Sequence, residues 1–355
     1  MDASSSTSAL ALVFTLAAVL LVSLKMAART TGKKKEELYG DMNHVSFNVR
    51  PPSTAWLNMG WWESEDTFFV DACEELARRL HATAALPENP RILDVGCGSG
   101  DSLLLLQRTS HPSVLHGVTS LPSHASFARK RLRAQSGISD EKDTSHDVHC
   151  ADAVRWLQQP SAPRIEQGRY PEGYHAIFAL DCAYHFNDRP TFFQHAFNAL
   201  QPGGTLALLD LALAFPYPDA TSSSRAYQFK SAQKIPPPKR APTRMQSVMH
   251  TIGCASASTP TSHFVPIDTY AAQLAHVGFT PSEVVIQDVS VEVLAGFARF
   301  LCSIGNAEEA AWRASPPALM TLGLRMVGKH VVSKWAAGGD AGMLRCVLVF
   351  AKKPA

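Results

Sequence analysis

The chain has little charge and no excess of either sign. Only 18% of its 355 residues are charged, with 33 basic and 31 acidic side chains giving a formal net charge of +2. Nucleic-acid binding needs a basic face that displaces counterions, so this balance argues against it. The seven cysteines (Cys73, Cys97, Cys150, Cys182, Cys254, Cys302 and Cys346) are odd in number and none stand in CxxC spacing. Neither a disulfide framework nor a zinc site is expected, and a reducing compartment is favoured. The closest histidines, His146 and His149, fall on an expected strand, where residues three apart point to opposite faces. No metal is therefore expected. No internal repeat is visible, and no GKS or GKT follows a glycine loop, which excludes a P-loop. What the chain does have is apolar content, 46%, enough for one large buried core or two ordinary ones.

The longest apolar run comes first. Ala9 to Leu24 is interrupted only by Thr15 and Ser23. A helix of this length spans about 24 Å, short of a hydrocarbon core of about 30 Å. Continuation through Met26, Ala27 and Ala28, with Lys25 snorkelling, lengthens it, and a thin membrane such as the endoplasmic reticulum tolerates a short span. A cleaved signal peptide would want positive charge ahead of the run, where only Asp2 stands. The positive residues follow it instead: Lys25, Arg29, Lys33, Lys34 and Lys35. The expectation is a retained single-pass anchor over residues 1–28, with the rest of the chain on the cytosolic side. Residues 29–54 read as a polar tether containing Pro51-Pro52, and residues 55–355 as the folded domain.

Within that domain, elements alternate. Thr67–Leu80 is an amphipathic helix by its apolar spacing. Arg91–Val95, Val114–Val118, Asp147–Cys150, Tyr174–Leu180 and Thr205–Leu211 read as strands; Asp101–Arg108, Ser123–Gln135 and Thr191–Leu200 read as helices between them, the last ended by Pro202-Gly203-Gly204. This βαβα rhythm predicts an α/β fold, a Rossmann-like doubly wound parallel sheet with helices on both faces. Residues 212–266 break the rhythm with Pro216, Pro218, Pro236–Pro238, Pro242 and serine runs, and read as a lid insertion. Helix Ile267–His276 and strand Ser282–Asp288 follow. Helices at Val291–Cys302 and Ala318–Trp335 form a second insertion, about 291–335, before a last strand Leu344–Ala351.

The stretch ILDVGCGSGDS, Ile92 to Ser102, carries the most chemistry. An apolar strand ends at Asp94-Val95, and Gly96, Gly98 and Gly100 follow before a helix. Such glycines let the backbone turn tightly and let a ligand reach amides that a Cβ would shield. A dinucleotide fingerprint would put its third glycine at position 101, which is Asp101, and an acid about 20 residues on, where Thr119 ends the second strand. The pattern better suits a cationic sulfonium with an amino acid tail, Asp94 and the loop amides meeting its ammonium and carboxylate.

On these residues the sequence resembles the class I, seven-stranded S-adenosylmethionine-dependent methyltransferases, from about Leu57 to the C-terminus. CADAVRW (Cys150–Trp156) is similar to the family's acidic segment after the third strand. The resemblance implies that Asp152, with Ala153 beside it, meets the adenine amino group. FALDCAYHFNDRP (Phe178–Pro190) resembles the fourth-strand motif, which implies that Asp181 lines the methionine arm. LQPGGTLALLDLAL (Leu200–Leu213) resembles the segment ending in the fifth strand, and an antiparallel last strand is implied as well. The second strand ends in Gly117-Val118-Thr119-Ser120, without the acid that usually binds the ribose. That variant resembles the tocopherol, sterol and cyclopropane-forming branch and implies Thr119 as the ribose contact. The upstream LNMGWW (Leu57–Trp62) resembles the branch's N-terminal motif, which folds over the cofactor and makes Trp61 a candidate contact.

Duller roles stand beside these. Asp152 can cap the following helix, compatibly with binding adenine. Trp61 and Trp62 can simply cover the core. His185, after the fourth strand, is the candidate general base for a hydroxyl acceptor, because histidine titrates in the useful range; a histidine bonding the backbone is the alternative. Asp210 is placed to orient substrate. The expected activity is methyl transfer from S-adenosyl-L-methionine to a small, lipophilic acceptor through oxygen, nitrogen or carbon, with no nucleic acid involved. The rivals are a methyltransferase-like binding protein without catalysis and a nicotinamide-dependent oxidoreductase.

Overall fold

The computed structural model describes residues 45, 47–48, 53–137, 144–158, 173–218, 227–231, 236–256, 259–306 and 318–355. The apolar run at 9–24 and nearly all of the tether lie outside these residues. Among the described residues no helix is long and apolar enough to cross a membrane.

Among the described residues eight strands form one sheet: β1 (Arg91–Val95), β2 (Val114–Thr119), β3 (His146–Cys150), β4 (Tyr174–Leu180), β5 (Leu200–Leu213), β6 (Gln228–Ser231), β7 (Val284–Asp288) and β8 (Leu344–Lys352), in spatial order 3-2-1-4-5-8-7-6. The first five pair in parallel, with β1 central to the crossovers. β8 inserts antiparallel between β5 and β7, as the sequence implied.

The helices are α1 (Phe69–Ala82), α2 (Asp101–Ser110), α3 (Pro122–Ser136), α4 (Ala153–Gln158), α5 (Arg189–Ala199), α6 (Arg244–Ser256), α7 (Ile267–His276), α8 (Ser290–Ser303), α9 (Ala318–Val327) and α10 (Ser333–Ala337). Strand side chains alternate between two cores, because successive Cβ atoms point to opposite faces. Ile92, Leu115, Phe178, Leu209 and Cys346 pack toward α1, α2, α3 and α8. Leu93, Val118, Ile177, Leu208 and Val347 pack toward α4, α5 and α7. This is the doubly wound arrangement, and it leaves the carboxyl ends of β1, β2 and β4 side by side as the position for a ligand.

Three local readings differ from the sequence expectation. β5 begins at Leu200 rather than Thr205, because Pro202-Gly203-Gly204 forms an irregularity within the β4–β5 pairing instead of a break before it. β6 was not expected: four residues, QFKS, alternate exposed and half-buried with no apolar run to mark them. They extend the sheet at its edge by pairing with β7. The helix expected over Ala318–Trp335 is divided by a π turn at Gly328–Val332. A Cβ on Gly328 would meet Leu301 Cβ at 2.7 Å, so the turn falls where the backbone presses against α8.

Candidate functional site

The loop after β1 is built from three left-handed glycines. Gly96, Gly98 and Gly100 have φ of +74°, +52° and +91°, a region costly for any residue with a Cβ. Their surroundings differ. A Cβ on Gly96 would lie 2.4 Å from Cys182 Sγ, and one on Gly100 would lie 2.8 Å from Ala128 Cβ. At Gly98 nothing comes nearer than 3.9 Å. The amides of Gly96 and Cys97 donate to the Val118 carbonyl at 2.7 and 3.1 Å, and that of Gly100 donates to Cys97. The first amides of the loop thus tie it to β2, while a Cβ on Gly98 would meet only ordinary van der Waals contacts.

Asp94 lies beside this loop, paired in register with Gly117 and Phe178. It is 1% exposed, and among the described residues no donor meets hydrogen-bond geometry with either carboxylate oxygen. Burial pushes its carboxyl from the ordinary 3.8 up to about 7, with Ser102 pulling weakly the other way. A buried carboxylate left without a donor is costly.

Asp181, the residue after β4, is half-buried and itself left-handed, with φ +56°. Its carboxylate accepts from the Met59 amide at 2.9 Å and from the Tyr184 hydroxyl at 3.0 Å. Burial again dominates and raises this carboxyl to about 7. His185 ends the short helical turn Ala183–His185. Its Nδ1 lies 2.9 Å from Thr259 Oγ1 in the insertion, and burial lowers the imidazole to about 4, with His263 adding to the effect.

Asp152 is both a cap and a site-facing group. One oxygen accepts from the Arg155 amide at 3.0 Å and starts α4; the other accepts from Asn187 Nδ2 at 3.3 Å. Ala153 is buried behind it, and Thr119 is buried at the end of β2, its carbonyl holding the Ala151 amide at 3.0 Å. The segment 53–62 crosses this whole edge. Its Ala55 amide bonds Asp101, which Arg131 grips through both oxygens at 2.8 Å. Its Met59 amide reaches Asp181, and its Trp62 amide reaches Glu292 on α8. Trp61 is buried on the α1 side, with the Arg79 guanidinium 4.1 Å from its ring centroid, so Met59 is the residue of this segment that reaches the post-β4 turn.

The expected substrate-orienting role of Asp210 does not fit its position. It is fully buried on the α5 and α7 side of β5, paired with Arg189 at 3.0 Å and bonded by the Tyr270 hydroxyl at 2.9 Å. This is an internal ion pair of the core. Among the described residues no three metal-binding side chains stand together.

A family model described as "Methyltransferase domain" matches residues 68–284. The chain belongs to this methyltransferase family. Among curated proteins, it is 30% identical over 233 residues to erythromycin 3''-O-methyltransferase of Saccharopolyspora erythraea, covering 65% of this chain and 63% of that one. It is 26% identical over 231 residues to an O-methyltransferase of Aspergillus nomiae, covering 64% and 92% of the two chains. The match thus spans less than two thirds of the erythromycin enzyme. Among solved structures, a cyclopropane synthase from Mycobacterium tuberculosis superposes with a TM-score of 0.56 at 18% identity, covering 88% and 94%. A phosphoethanolamine N-methyltransferase from Haemonchus contortus superposes with a TM-score of 0.54 at 15% identity, covering 79% and 53%. At those identities the structures share the fold.

The fold of this chain brings Asp94, the glycine loop, Thr119, Asp152, Asp181 and His185 to one edge of the sheet. It adds residues that the sequence reading did not single out: Met59, Tyr184, Asn187, Thr259 and His263. Met59 acts through a backbone amide, which carries no sequence signal. Thr259 and His263 come from the insertion and reach the site only through tertiary packing.

Proposed function

We propose that this chain transfers a methyl group from S-adenosyl-L-methionine to a hydroxyl of a small, lipophilic acceptor. The observation that carries the cofactor is Asp94: a buried carboxylate whose oxygens, among the described residues, meet no donor in hydrogen-bond geometry, beside a loop in which Gly98 is the least crowded glycine. The ammonium of an amino acid tail supplies the missing donor. Asp152 and Thr119 suit the adenine and ribose ends, and Asp181, held by Met59 and Tyr184, suits the methionine arm. When bound, the sulfonium supplies an electrophilic methyl group for in-line displacement, a reaction in which positioning provides much of the acceleration.

The chain's own contribution to the acceptor is His185. Thr259 engages Nδ1, so a hydroxyl proton would be taken at Nε2, with Nδ1–H donating to the threonine oxygen. An imidazole held near 4 is neutral at working pH but weakly basic. It is suited to receiving the proton late, as the oxygen gains its methyl group and becomes acidic. The curated relatives named as O-methyltransferases support oxygen as the acceptor atom. The lipophilic character of the acceptor and a retained anchor in the endoplasmic reticulum membrane, with the domain in the cytosol, rest on the run Ala9–Leu24 and the basic residues after it. Carbonate extraction tests the anchor, which release into the soluble fraction would overturn.

Metabolite profiling of cells with and without the gene, seeking species that differ by one methyl group, tests the activity. With an acceptor in hand, His185→Gln is expected to lower turnover about 10²- to 10⁴-fold while leaving S-adenosylhomocysteine affinity unchanged. Unchanged turnover removes His185 from the mechanism. Binding of S-adenosylhomocysteine without methylation of any acceptor would favour a non-catalytic binding protein.

A further inference from the structure

The insertion grips the turn after β4 at two places. Thr259 holds His185, and His263, 7% exposed, holds the backbone on either side of it. His263 Nδ1 lies 2.9 Å from the carbonyl oxygen of Tyr184, and Nε2 lies 3.2 Å from the carbonyl oxygen of Asn187. Carbonyl oxygens only accept, and a neutral imidazole has a single N–H. Both contacts are hydrogen bonds together only when both ring nitrogens carry protons.

The two carbonyls bracket His185 and Phe186, so the ring spans the segment that carries the candidate base. That segment ends in groups aimed at opposite ends of the site. The Tyr184 hydroxyl bonds Asp181, and the Asn187 amide bonds Asp152. Fixing the two carbonyls therefore fixes three side chains at once, one at each end and His185 between them. We propose that His263 is a positioning residue, a doubly protonated clamp on the Tyr184 and Asn187 carbonyls that holds the post-β4 turn in the register that cofactor and acceptor require. This rests on reading the edge as the S-adenosylmethionine site.

The titratable groups facing His263 are Asp188, the N-cap of α5, held mainly by Thr191, and His185, whose imidazole burial already lowers to about 4. His195 on α5 acts on Asp188 as well, and His250 on α6 packs its ring 5.2 Å from that of Phe264, next to His263. Asp152 stands beyond Asn187.

The test compares wild type with His263→Gln, whose one amide nitrogen cannot reach both carbonyls, by calorimetry with S-adenosylhomocysteine across the histidine titration range, about pH 5 to 8. Taking the ratio of the two affinities cancels other titrating groups, including Asp94. The ratio is expected to be about tenfold in favour of wild type at the acidic end, the scale of a lost charge-assisted hydrogen bond, and to shrink toward unity at the alkaline end. A ratio that does not change with pH assigns His263 a merely structural role and overturns the proposal. Should the variant not fold, amide exchange of wild type decides the matter without ligand. Protection of residues 184–188 relative to α5, corrected for intrinsic rates, is expected to fall as pH rises; constant protection overturns the clamp. Absence of S-adenosylhomocysteine binding by both proteins would instead refute the cofactor reading, leaving the exchange experiment to judge the clamp alone.

Discussion

Asp94 offers a test in which stability and binding move in opposite directions. Its carboxyl is raised from 3.8 to about 7 because burial removes water, an effect that the Ser102 hydroxyl only partly offsets. Well below pH 3.8 the group is protonated in the folded and the unfolded chain, and it contributes nothing to the pH dependence. As pH rises toward 7 the unfolded chain ionises while the folded chain resists, so the protein loses stability through this window; above 7 the penalty is constant. At 1.36 kcal/mol per pKa unit, the full penalty is about 4 kcal/mol. Asp94→Asn removes the charge but leaves a buried amide without partners, which costs about 1–3 kcal/mol. The variant should therefore be more stable than wild type by about 1–3 kcal/mol at pH 8, with the advantage gone by pH 4. Urea denaturation of the ligand-free protein at both values measures this. The same variant should bind S-adenosylhomocysteine at least about tenfold more weakly, since a neutral amide replaces the counter-charge of the ammonium. A variant equally destabilised at both pH values, or one that binds as wild type does, would refute the reasoning.

The glycine loop separates strain from ligand access. Gly96→Ala should cost about 2–5 kcal/mol, combining a left-handed alanine with a methyl group 2.4 Å from Cys182 Sγ, and should lower the urea midpoint strongly. Gly98→Ala meets only the backbone cost, about 1–2 kcal/mol, yet should weaken S-adenosylhomocysteine binding in calorimetry because its methyl enters the least crowded side of the loop. Arg189→Met leaves Asp210 uncompensated in the core and should cost about 3–5 kcal/mol in denaturant unfolding; loss of substrate affinity without loss of stability would return Asp210 to the site.

How far the sequence could be read follows from where each feature's information resides. The apolar runs along Ile92–Val95 and Leu206–Leu211 are written in adjacent residues, because each strand is buried on both faces by helices that the next segments supply. The order of strands and the glycine loop were legible for that reason. β6 was not, since an edge strand held by backbone pairing needs no apolar pattern of its own. Asp210 shows the same limit from the other side. Its position near the end of β5 matched a site residue, but period-two alternation places it with Leu208 and Ala212, on the face that α5 and α7 cover. Reading that face would have required knowing that Arg189 and Tyr270 meet there. Asp94, by contrast, shares its face with Ile92, and among the described residues neither of its oxygens has a partner in hydrogen-bond geometry. Two aspartates near the ends of parallel strands thus differ in whether the fold itself supplies the counter-charge. Where it does, the residue belongs to the core; where it does not, the remaining interaction is left to a ligand.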